Sequence, residues 1–178
     1  MGNTMRTLRD LFLRQLHELR AGERHHAETL VRLAGAAASP ELAAALRRHR
    51  EETLEQARRL DATLAIASGR LGPVPLPPGP ERESHGMYGL MRDCLELAGS
   101  DGVEPHVRDA AIIGLVQHVG HDEIAGYGCA RTWARLLGLE EAAVALQRSL
   151  SEEKALDTEL SRIAETLNKA ALAPSLLA

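Results

Sequence analysis

The placing of helix breakers constrains this chain more than any other feature of its sequence. Ser39-Pro40-Glu41 offers an N-cap, a proline at the first helical position and an acid in the first turn. One long helix therefore ends there and another begins. Gly138, followed by Glu140-Glu141, marks a second abrupt turn of the same kind. Between these two turns, residues 69–80 hold five of the eight prolines, and no helix can continue through them.

Apolar residues recur at helical spacing on either side of each break. Leu8, Phe12, Leu16, Leu19, Leu30 and Leu33 predict helix A over about residues 4–36. Leu42, Leu46, Leu60 and Leu64 predict helix B over about 40–68. The segment 69–104 reads as a crossover with a short helix of its own, about 84–97, closed by Gly99-Ser-Asp-Gly102. Ile112, Val116, Val119, Ala130, Trp133 and Leu137 predict helix C over about 105–137. Leu146, Leu150, Leu160, Ile163 and Leu167 predict helix D over about 140–172. Two short turns make two antiparallel hairpins, and one long connection joins them. That is the all-α, ferritin-like four-helix bundle; an up-down-up-down bundle needs three short loops. The 178 residues form one domain on this reading.

Composition agrees. Aromatic residues are 2%, which disfavours sheets, whereas Ala, Leu, Arg and Glu are strong helix formers. The net charge of −4 and the scattered basic residues show no footprint for nucleic acid. No apolar run approaches the ~20 residues of a membrane span, and no secretory signal is visible. Cys94 and Cys129 form no CxxC and read as reduced thiols, so a cytoplasmic location is expected.

The apolar stripes are interrupted by polar residues, and these interruptions carry the chemistry. Glu23 and His26 fall on the inward face of helix A. His49, Glu52 or Thr53, and Gln56 do so on helix B, Glu123 on helix C, and Glu153 and Asp157 on helix D. At 1.5 Å per residue, Glu23, Glu52, Glu123 and Glu153 each lie roughly 21–24 Å from the turn of their own hairpin. Antiparallel partners at equal distance from a shared turn are level, so four acids are expected in one layer. Close, buried carboxylates must protonate, pair with cations, hydrate or bind a metal. Hard oxygen ligands with a few imidazoles suit iron or manganese, and dinuclear bundle proteins use Glu together with Glu-x-x-His. Glu23-Arg-His-His26 has that form; His49-x-x-Glu52 has it reversed. A hydrated or partly protonated polar layer paired with arginines is the alternative.

At these residues the chain resembles the ferritin-like YciE/YciF family of bacterial stress-associated proteins. The matching stretches are Leu8-Arg-Asp-Leu-Phe12, Glu23, His49-Arg-Glu-Glu-Thr53 with Gln56, and Met87-Tyr-Gly-Leu90. They continue with Val107-Arg-Asp-Ala-Ala-Ile-Ile113, Gln117, His121-Asp-Glu-Ile-Ala-Gly-Tyr-Gly128 and Glu152-Glu-Lys-Ala-Leu-Asp157. The resemblance implies a ferritin-like fold, a dinuclear metal site and a homodimer. It carries over Glu23, Glu52, Glu123 and Glu153 as metal positions, with His49 and Asp157 close by. The expected co-reactant is a small oxidant, oxygen or peroxide. Two departures bear on the site. Gly120 stands where the family usually has a glutamate, and His26 where it usually has an apolar residue. His26 is therefore expected to supply a ligand in the space opened by Gly120. A bundle whose site has degenerated, serving dimerisation or partner binding, is the competing expectation.

Overall fold

The computed structural model describes residues 5–72 and 85–172. Five helices follow one another: α1 (Leu8–Ala36), α2 (Pro40–Leu71), α3 (His85–Ala98), α4 (Pro105–Leu136) and α5 (Glu140–Ala170). Among the described residues there is no strand.

The caps explain the boundaries. Thr7 closes a capping box: its hydroxyl accepts from the Asp10 N–H at 3.2 Å, and Asp10 accepts from the Thr7 N–H at 3.0 Å. The first helix thus starts at Leu8, where the apolar stripe begins; the expected start near position 4 lies outside the described residues. Ser39 caps α2 with Pro40 in its first turn, as its sequence requires. The second helix runs through Gly69 to Leu71 and stops at Gly72, whose φ of +82° suits glycine alone. A single glycine, at a propensity cost of about 1 kcal/mol, did not end it; beyond it Leu71 packs against the core that holds Phe12. Most of the proline-rich stretch, residues 73–84, lies outside the described residues. Glu104 caps α4 by accepting from His106 and Val107. At its other end Leu139 N–H donates to Ala134 and Gly138 N–H to Arg135, a Schellman closure with Gly138 at φ +73°.

The helices α1 and α2 pack as one hairpin and α4 and α5 as the other. Across the bundle α2 meets α5 and α1 meets α4, while α3 lies against α1 and α4. This is the ferritin-like all-α arrangement. The two hairpin turns lie at opposite ends. Asp109, near the start of α4, accepts from the Ala38 and Ser39 N–H groups of the α1–α2 turn, both at 2.8 Å. The acids are level because each sits near the middle of a helix of about thirty residues, so distance from either end gives nearly the same height.

Two apolar cores result. Phe12, Leu16, Leu60, Ala134 and Leu146 fill one end. Leu30, Leu33, Leu46, Ile112, Val116 and Leu160 fill the other. The polar layer lies between them. Met87 and Met91 of α3 pack with Val119 beside it.

Candidate metal centre

Helical periodicity brings one or more polar side chains from each long helix into that layer. Glu23 and His26 are one turn apart on α1; His49, Thr53 and Gln56 share a face of α2; Glu123 comes from α4 and Glu153 from α5. Glu23, His26, His49, Glu123 and Glu153 are each 1% exposed.

Their contacts are directional. His26 Nδ1 lies 3.1 Å from Glu123 Oε1. The His26 and His49 rings meet edge to face, their centroids 5.1 Å apart. His49 Nε2 lies 4.0 Å from Glu153 Oε2. Gln56 Nε2 donates to Glu153 Oε1 at 2.7 Å, and the Tyr127 hydroxyl donates to Glu23 Oε1. Arg59 forks onto Glu152 at 2.8 and 3.2 Å and reaches Ser149 at 2.6 Å. It is the cation that favours the charged form of Glu23.

One guanidinium does not compensate three buried acids. Burial first, then Glu123 and Glu153, push Glu23 well above the usual carboxylate range. Burial pushes Glu123 up to about 7. Burial and then Glu123 push Glu153 up to about 8. Burial also holds His26 down at about 3, with a smaller contribution from His25. His26 is therefore a neutral imidazole at physiological pH, the form in which histidine ligates metals.

The unpaired atoms test the fit to a cation. Glu23 Oε2, Glu123 Oε2, Glu153 Oε2, His26 Nε2 and both ring nitrogens of His49 are buried without a hydrogen-bond partner. Each such atom ordinarily costs about 1–3 kcal/mol. Five residues orphaned in one layer, all offering lone pairs, match the donor set of an iron, manganese or zinc ion. One ligand atom each from His26, His49 and Glu123 lie within 4.8 Å of one another. This cluster can hold a metal ion. Gly120 borders it: a Cβ there would meet only Glu153 Oε2, at 3.7 Å.

Two expected members stand elsewhere. The Glu52 side chain is 52% exposed, with Oε2 3.8 Å from His49 Nδ1. The helical phase gives the inward position to Thr53, whose hydroxyl turns back to the His49 carbonyl at 2.9 Å. The layer thus holds three carboxylates rather than four. Asp157 is held at the rim by Gln117, which donates to its Oδ1 at 2.9 Å, with His121 3.7 Å away. Tyr127, one turn after Glu123, bonds a site carboxylate on another helix, a role its spacing on α4 allows but does not fix. The sequence did not reveal Arg59, whose spacing of three from Gln56 was the clue. His25 is half-buried against the Tyr88 ring, 5.3 Å between centroids.

Comparison with known proteins gives a consistent result. The model of the domain of unknown function DUF892 matches residues 7–173. Protein YciF of Escherichia coli K12 is 34% identical over 172 residues, covering 94% of this chain and 96% of its own. The crystal structure of the E. coli stress protein YciF superposes with a TM-score of 0.82 at 33% identity, over 93% of this chain and 99% of that one. YcfI of Rhodopseudomonas palustris superposes with a TM-score of 0.78 at 32% identity, over 90% and 97%. Among the described residues no helix is long and apolar enough to cross a membrane.

Proposed function

This chain belongs to the DUF892 family, that of the ferritin-like YciE/YciF proteins, and from that premise we propose that it holds a dinuclear iron or manganese centre that reacts with a small oxidant. The observation that carries the reading is the convergence of His26, His49 and Glu123, beside the unpaired oxygens of Glu23 and Glu153. Such a centre supplies two redox-active Lewis acids with positions open to oxygen or peroxide.

The chain's own residues have distinct parts in this reading. His26 would contribute a neutral imidazole nitrogen and His49 a second ring nitrogen. Glu23, Glu123 and Glu153 contribute oxygen and give up their protons when a cation replaces them. Glu52, beside His49, would complete the four-glutamate set only by turning inward about its side-chain bonds. Tyr127 and Gln56 fix one oxygen each of Glu23 and Glu153, leaving the other to the metal. Asp157, committed to Gln117, remains outside the ligand set. The two apolar cores exclude water from both ends. The E. coli relative is a stress protein; a role in oxidative stress, in the cytoplasm and as a homodimer, fits this chemistry.

Protein purified without chelator is expected to carry about two iron or manganese ions per chain. Adding Mn(II) to stripped protein is expected to raise its melting temperature, because a ligand that binds only the folded state stabilises it by mass action. A second reading is favoured by Gly120 and by the outward Glu52: a bundle with a degenerate site that serves dimerisation or partner binding. No bound metal and an unmoved melting temperature would select it.

A further inference from the structure

A cavity of about 240 Å³ opens between α1 and α4 beside Met87 of α3. Gln15 and Glu18 line it from α1; Asp122, Gly126 and Cys129 line it from α4. Its remaining acidic wall is Glu123, which is 1% exposed and whose Oε2 has no partner. One carboxylate thus belongs both to the buried metal cluster and to a cavity whose other acids reach solvent.

The cavity is built into the helix packing. A Cβ at position 126 would come within 2.9 Å of Leu19 Cδ2 and 3.0 Å of Gln15 Nε2. With no side chain at 126, α1 and α4 lie close there without filling the space. Arg14 pairs with Glu18 at 2.7 Å, but its side chain is 43% exposed and an i,i+4 pair at the surface is weak. It can be displaced by a divalent ion.

We propose that this cavity is the entry route for the divalent cation, with Glu18 and Asp122 as transit ligands that hand it to Glu123. The proposal rests on the metal-centre reading above and adds to it a path. A hydrated divalent cation does not cross an apolar core, because stripping its water costs far more than burial returns. A cleft with two acids at its mouth raises the local cation concentration and replaces water ligands with carboxylate oxygens one at a time. The two caps of the bundle are apolar and offer no such exchange.

The test follows Co(II) uptake by chelator-stripped full-length protein, by stopped-flow absorption and by end-point titration. The Glu18→Gln/Asp122→Asn double variant is expected to load about tenfold or more slowly, within the range of electrostatic steering, yet to reach the wild-type end point. Raising the salt concentration should slow the wild type and leave the double variant nearly unchanged, a response that a merely structural defect does not give. A second arm modifies Cys129 with a bulky maleimide. Cys129 is exposed, whereas Cys94 is buried and its thiol is pushed up to about 11, so labelling is selective. The adduct should also slow loading. Wild-type loading rates in both the double variant and the adduct overturn the route and leave the centre standing. No Co(II) uptake by the wild type overturns the centre and the route together.

Discussion

His26 Nδ1 and Glu123 Oε1 meet at 3.1 Å across 97 positions of sequence, two side chains sealed from solvent on adjacent helices. With the proton on Nδ1, the lone pair of Nε2, buried without a hydrogen-bond partner, is left for a cation. His26→Ala removes that nitrogen and is expected to weaken Mn(II) binding by about 10–100-fold. Isothermal titration reads this directly. Unchanged stoichiometry and affinity would remove His26 from the ligand set.

Glu52 and Glu123 differ in where they stand, and substitution should separate them. Glu52 is half in solvent, so Glu52→Gln should leave the melting temperature of metal-free protein within about 1 °C, as surface changes usually do. It should still lower metal affinity if Glu52 turns inward on loading. Glu123→Gln alters the buried layer itself, so both quantities should move. Thermal melts and titrations on the two variants check this; unaltered affinity in Glu52→Gln leaves Glu52 at the surface.

Asp109 caps a turn that is not its own. Fully buried on α4, it accepts two backbone N–H bonds at 2.8 Å from Ala38 and Ser39. Removing the acceptor strands both donors. Asp109→Ala should cost about 2–4 kcal/mol and lower the melting temperature by roughly 5–15 °C. Metal stoichiometry measured below the new transition should not change, because Asp109 lies at the end of the bundle, away from the polar layer. Parallel loss of metal binding would place Asp109 in the centre instead.

The sequence made the bundle legible because its signals are local. Ser39-Pro40 and Gly138 announce turns through their own backbone preferences, and both turns formed where expected. Glu23, His26, His49, Glu123 and Glu153 were legible because 3.6-residue periodicity fixes which side faces inward. Glu52 was not, because it adjoins Thr53 in sequence and the 100° between them decides which faces inward. The roles of Asp109 and Tyr127 depend on partners 70 and 104 positions away, and no local pattern encodes such distances. The end of α2 was misjudged because Gly69 has no Cβ to add or clash with: it weakens a helix without stopping it, and only the positive φ of Gly72 does.

The buried acids also set a pH dependence whose direction changes on metal loading. Glu123 and Glu153 ionise in the fold at about 7 and about 8, against an ordinary 4.5, because burial disfavours their charged forms. Glu23 is likewise held well above its ordinary value by burial and by its two acidic neighbours. The folded chain therefore holds more protons than the unfolded chain between these values. The stability these acids contribute is full below about pH 4.5 and is lost as pH rises through about 7 and 8. His26 acts oppositely: held at about 3 against an ordinary 6.5, its contribution is full above 6.5 and is lost as pH falls through 3. Of these groups only the acids act above about pH 6.5, so the melting temperature of stripped protein should fall between about pH 6.5 and 8.5. A cation takes the place of the protons, so with excess Mn(II) the fall should flatten or reverse, and affinity should climb over the same window. Thermal unfolding with and without Mn(II) at constant ionic strength measures both. A stripped protein whose melting temperature stays level or rises would mean that the three carboxylates do not share one dry layer.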